Sequence, residues 1–113
     1  MLNLWTGHYR YKGPDRLDIT VKGQHPFGRR LAPTWDMVMA VKRNGSAAHS
    51  YYIVEFYKIL EAVPQHVWEE LLTEDEVTFV CFCGPNDFCH RNLVIEYMRD
   101  IRKFPVHYHG FRQ

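Results

Sequence analysis

Residues 80–94, VCFCGPNDFCHRNLV, hold all three cysteines of the chain, Cys81, Cys83 and Cys89, and the last is followed directly by His90 and Arg91. Thiols supply nucleophiles, redox pairs and soft metal ligands, an imidazole moves a proton, and a guanidinium holds an anion. Three readings compete for the segment. In the first, Cys81 and Cys83 are small core residues and Arg91 is an ordinary helix-end arginine, because free cysteine is among the most buried residue types. In the second, Cys81, Cys83, Cys89 and His90 bind zinc. The spacing C-x-C-x5-C-H is unlike the paired knuckles that structural zinc prefers, and adjacent ligands within one helical turn diverge. In the third, which we favour, the segment is an anion site with a functional thiol and no metal.

That preference follows from the elements that must position these residues. Val77 to Cys83 has one polar residue, Thr78, and its run of β-branched and aromatic types predicts a strand buried on both faces at the centre of a parallel sheet. The loop GPND, residues 84–87, leads into an amphipathic helix from Cys89 to about Lys103, with Leu93, Val94, Tyr97, Met98 and Ile101 on one face. Ligands of open parallel sheets settle beyond the C-terminal strand ends, where helix N-termini present amide protons to anions. There Cys89 is expected near solvent with a lowered pKa as nucleophile or redox thiol, and His90 as acid, base or orienting group. Cys81 is expected as a second thiol beneath it, and Arg91 and Asn86 as ligand holders.

The remaining chain reads as strands interleaved with helices. LNLWT opens as a strand, and Arg16 to Lys22 alternates Leu17, Ile19 and Val21 with polar residues, as an edge strand does. GQHPFGRRLAP, residues 23–33, is a loop; Arg29 and Arg30 within it offer planar forks for phosphate, and Arg30 is taken as a ligand candidate. A helix is expected over 34–42, stopped by Asn44 and Gly45, then a longer one capped by Ser46 and ended by Pro64, then a third through Leu72. Residues 105–111 complete the pattern as a last strand. Together these predict one α/β domain over residues 1–113, a small Rossmann-like layered fold with a mainly parallel central sheet flanked by helices.

Bulk properties narrow the function classes. A chain of 113 residues buries about 65% of its unfolded surface and needs no disulfide or metal to fold. Fourteen basic and thirteen acidic residues, net charge +1, give no global pull toward nucleic acid or membrane. No apolar run reaches the ~18 residues of a membrane span, the start lacks the order of a signal peptide, and an odd, clustered cysteine count fits a reducing compartment; a cytoplasmic location is expected. Walker, GxGxxG, GxSxG and HExxH signatures are missing, so no cofactor is expected. Trp5, Tyr9, Tyr11 and Trp35 could stack a base, although core packing accounts more simply for both tryptophans. His107 and His109 read as surface histidines, and Glu74 to Glu76 as a solvated turn.

The order Cys81, seven residues, Cys89, His90, Arg91, followed by an amphipathic helix, resembles the signature of the domain of unknown function 488 family. LAPTW at 31–35, YYIVEFYKIL at 51–60 and the WTGHY start resemble further stretches of that family, so the likeness covers nearly the whole chain. Cys83 is a departure, because many members carry glutamate there. The resemblance implies a compact α/β protein of prokaryotic or phage type whose paired cysteines have been suspected of catalysis. By matching position, it makes Cys81, Cys89, His90, Arg91, Thr6 and Trp35 site candidates. The function expected is an enzyme acting on a nucleotide or other phosphate-bearing ligand through the thiol site; the alternative is a non-catalytic module that binds or sequesters a nucleotide-derived signal or nucleic acid. The oligomeric state is left open.

Overall fold

The computed structural model describes residues 1–112. Four strands, β1 (Leu2–His8), β2 (Arg16–Asp18), β3 (Glu76–Cys81) and β4 (Val106–Arg112), form one all-parallel sheet in the order β2-β3-β1-β4. Four helices flank it: α1 (Trp35–Asn44), α2 (His49–Glu61), α3 (Gln65–Leu72) and α4 (His90–Glu96), the last running on into a π turn at Tyr97–Ile101. This is the small α/β layered domain expected. β2 lies at the edge, as its alternation predicted, and the apolar β3 is interior.

One core accounts for the arrangement. Leu2 and Leu4 of β1, Leu17 of β2 and Val77 and Phe79 of β3 share a cluster with Met37 of α1, Phe56 of α2, Trp68 of α3 and Val94 of α4. Burying such side chains yields about 1.5–3 kcal/mol each, so the period-two and period-four apolar positions must face one another. Local chemistry sets the helix ends. The Thr34 hydroxyl accepts from Met37 N at 3.2 Å and caps α1, and Gly45, at φ 57°, ends it in a left-handed conformation that a side chain would strain. Ser46 does not cap α2: a 3-10 turn, Gly45–Ala48, intervenes, and Ala48 stands at the cap with no side-chain bond. A second 3-10 turn, Gly28–Leu31, lies inside the stretch read as loop.

The two sides of β4 are set by a bulge. Leu4 pairs with Tyr108 but Thr6 pairs with Phe111, so His109 and Gly110 together face Trp5 alone. Gly110 has φ 109°, open to glycine and strained for other residues. After this extra residue, Phe111 shares the face of Thr6 and Arg112 that of Gly7. Arg112 then lies 3.7 Å over the Trp5 ring and reaches both Tyr11 Oη (2.8 Å) and Asp15 Oδ2 (3.0 Å).

Asp15 joins the loop after β1 to the back of the sheet. Its carboxylate accepts from the Thr78 hydroxyl at 2.6 Å and the Tyr11 hydroxyl at 2.5 Å. Burial by itself raises the carboxyl pKa, but these hydroxyls and the Arg112 charge outweigh it and hold the group below its ordinary value. A depressed folded pKa contributes stability that is present above about pH 4 and lost as pH falls through the folded value. Asp15→Asn is therefore expected to lower the urea midpoint clearly at neutral pH and by progressively less as the pH falls from about 4 toward about 2. An equal loss across that range would show that the network does not depend on the charge.

Candidate functional site

β3 ends at Cys81, and the chain crosses to α4 through Phe82–Phe88, with Cys89 as the residue before the helix. The crossing gathers the three sulfurs within 4.8 Å of one another. Cys81 Sγ lies 3.9 Å from Cys83 Sγ and 4.0 Å from His90 Nδ1, which is itself 3.7 Å from Cys89 Sγ. The opposite ring nitrogen, Nε2, is 2.6 Å from the carbonyl oxygen of Ile19, just beyond β2. A carbonyl only accepts, so Nε2 carries a proton and Nδ1 is the ring nitrogen that faces Cys81 and Cys89.

The cluster is dry. Cys81 is 8% exposed, Cys89 4% and His90 3%, and only Cys83 is half-buried. Phe56 of α2 sets its ring edge-on to His90 at 5.5 Å, while Phe88 is held between His49 and Tyr52. Cys89 is thus sealed and not at the solvent edge where the helix start was expected to leave it. The charge preference is also different from that expectation. Hydrogen bonds from Cys83 and Cys89, against the cost of burial and helped by His90, hold the Cys81 thiol far below its ordinary range. Cys83 is pushed up to about 11, chiefly by its bond to Cys81, and Cys89 is pushed up by its bonds to Cys81 and Cys83 and by burial. The sulfur that best holds a negative charge is therefore Cys81. The Tyr52 hydroxyl is raised by burial first and by the neighbouring thiols next.

Arg91 serves the backbone. It is fully buried, and Nη1 donates to the carbonyls of Gly7 (3.3 Å), Cys81 (3.4 Å) and Cys83 (2.8 Å), while Nη2 donates to that of Gly84. The guanidinium also lies 5.2 Å from the Phe111 ring centre. With its terminal nitrogens engaged by the ends of β1 and β3, it does not reach solvent to hold an anion as the helix-mouth reading proposed. Exposed bases stand nearby instead. A cavity of about 510 Å³ is lined by His8, Arg10, Tyr11, Lys12, Pro85 and Phe111. No cysteine lines it, and its link to the cluster runs through the backbone, where His8 pairs with Cys81 in register and Tyr9 N donates to Cys81 O at 2.8 Å.

The other candidates lie apart from one another. Thr6 is buried, with its hydroxyl 2.8 Å from Tyr108 Oη. Asn86 is exposed in the crossing loop. Arg30 lines a separate cavity of about 550 Å³ beside β2, together with Asp15, Arg16, His25 and His66, and none of the cysteines borders it. Trp35 is 46% exposed at the start of α1, with Lys22 Nζ 5.3 Å over its ring, so core packing does not account for it. Trp5, in contrast, is held between His109 and Arg112. Tyr52 and the cations Arg10 and Lys12 were not singled out as site residues in the sequence, and Cys83 entered only the zinc reading. The run GHYRYK carried a usable signal, because it follows a strand of a parallel sheet at the C-terminal end.

A family model described as the active DUF488-N3 subclade matches residues 8–102. No curated protein and no solved structure matches the chain. Among the described residues no helix is long and apolar enough to cross a membrane.

Replacing Arg91 by methionine keeps much of the volume and strands four carbonyls. The expected cost is about 3 kcal/mol or more, read as a lowered urea midpoint. A loss below ~1 kcal/mol would mean that water replaces the guanidinium without penalty.

Proposed function

We propose that this chain, which belongs to the DUF488 family, is an enzyme acting on a nucleotide or other phosphate-bearing ligand through the thiol cluster at the β3-to-α4 crossing. The observation that carries the reading is the position of Cys81. Its sulfur ends an interior strand, has His90 Nδ1 and Cys83 Sγ within 4.0 Å, and lies in register with His8 on the wall of a basic cavity. The matched subclade's description as active supports chemistry over simple capture.

Each group has a task under this reading. Arg10 and Lys12 hold the phosphates, since cations at a cleft mouth favour an anion without any excess of charge over the whole chain. Cys81 is the nucleophile and Cys83 the thiol that hydrogen-bonds it. Cys81 attacks as the thiolate, having already given its proton to His90 Nδ1; as the sulfur bonds to the electrophilic atom of the ligand, the leaving group departs with the bonding pair and takes that proton. Arg91 fixes the two strand ends and touches no ligand. The closure of Cys81 and Cys89 favours a second reading, in which the cleft captures a nucleotide-derived signal or nucleic acid without chemistry.

ADP is the probe that separates them. Arg10→Ala and Lys12→Ala should each weaken ADP binding by about tenfold, the worth of one charged hydrogen bond. Iodoacetamide should alkylate Cys81 in the native, chelator-treated protein, ADP should slow that reaction, and Cys81→Ser should retain ADP affinity. ADP binding with an inert Cys81 would leave the capture reading alone. Binding indifferent to both cations would remove the phosphate ligand.

A further inference from the structure

The same four side chains carry a second property, which stands on the positions of their ligand atoms and not on the chemistry proposed above. We infer that Cys81, Cys83, Cys89 and His90 form a tetrahedral site for a soft divalent ion, zinc foremost. A zinc ion with bonds of about 2.3 Å to sulfur and about 2.0 Å to nitrogen sets its ligands at tetrahedral edges of roughly 3.8 Å for S···S and roughly 3.5 Å for S···N. The three sulfurs lie inside 4.8 Å of one another, with Cys81 to Cys83 at 3.9 Å, and His90 Nδ1 approaches two of them, Cys81 at 4.0 Å and Cys89 at 3.7 Å, so that closing the tetrahedron asks the half-buried Cys83 to draw in toward the imidazole.

Sequence spacing argued against this site because neighbouring residues on one helical turn point apart. The backbone removes that objection. Cys89 is extended, at φ −153° and ψ 143°, and the helix begins only at His90. The change of conformation between the two lets adjacent side chains converge. A further feature is the ring orientation, which sulfur packing alone would not demand. Nε2 is anchored on the Ile19 carbonyl at 2.6 Å, and this outer hydrogen bond leaves Nδ1 as a donor atom aimed at the sulfurs, the arrangement that metal-binding histidines use. Three sulfurs and one imidazole nitrogen in a dry pocket select zinc over hard cations, which require oxygen.

An ion here and a reagent at Cys81 compete for one sulfur, so metal occupancy protects the cluster. The experiment uses reduced, chelator-stripped full-length protein titrated with Co(II) without oxygen. One equivalent should give the sulfur-to-cobalt charge-transfer band and the intense visible bands of a tetrahedral thiolate site, and Zn(II) should displace it. Cys83→Ser, at the half-buried ligand, should keep the native circular dichroism and weaken Co(II) binding by more than about a hundredfold, beyond the cost of losing an outer-shell partner. Zn(II) should also block iodoacetamide at Cys81. Folded protein with three free thiols that gives only the pale octahedral cobalt spectrum, or a Cys83→Ser variant that binds Co(II) as tightly, overturns the site. Alkylation of Cys81 without metal binding sinks this inference alone; metal binding with an inert stripped Cys81 sinks the proposed thiol chemistry alone.

Discussion

A buried guanidinium surrounded by carbonyl oxygens holds the crossing together. Removing a charge from water is costly unless dipoles replace the water, and around Arg91 four backbone carbonyls do so, drawn from the end of β1, the end of β3 and the loop beyond it. They converge because the two strands are parallel and finish side by side. A lysine would present its charge at one point, whereas the planar fork reaches carbonyls on both strands at once. The thiol cluster inherits its geometry from this bracket, since Cys81 and Cys83 each lend a carbonyl to Arg91 while their sulfurs meet each other and that of Cys81 faces His90.

What the sequence made legible, and what it hid, divides along the range of the interactions. β3 was readable from its apolar run and β2 from its alternation, because burial on two faces or one leaves a direct trace in residue order. The end of α1 was readable from Gly45. The family was readable from Cys81, Cys89, His90 and Arg91 together with LAPTW. Ser46 misled because its capping chemistry is local, while the 3-10 turn after Gly45 decides where α2 begins. Cys89 misled for a deeper reason. A helix start is exposed unless another element covers it, and the cover here is Phe56, Tyr52 and Phe88, brought by a helix more than thirty positions earlier and by the loop itself. Arg91 was given an outward task, because residue order does not show which carbonyls converge on it.

The result is a site in two compartments. The thiols and the imidazole are closed off among aromatic rings, where hydrogen bonds and charges act with little screening. The cations that could meet an anion, Arg10 and Lys12, stand at the surface. His8 and Pro85 line the same cavity, and the backbone hydrogen bond from Tyr9 to Cys81 joins the segment that carries the cations to the end of β3. A fold with almost balanced charge can in this way keep a local positive field beside an apolar pocket without becoming a general polyanion binder.

The single extra residue in the last strand has a bearing on how relatives are compared. Because Gly110 shifts the alternation by one, Phe111 faces Arg91 and Arg112 faces Trp5. An alignment that placed a gap at the glycine would exchange the apparent sides of those two side chains. It would score the aromatic ring beside Arg91 as a surface position, and the stacked arginine as part of the interior.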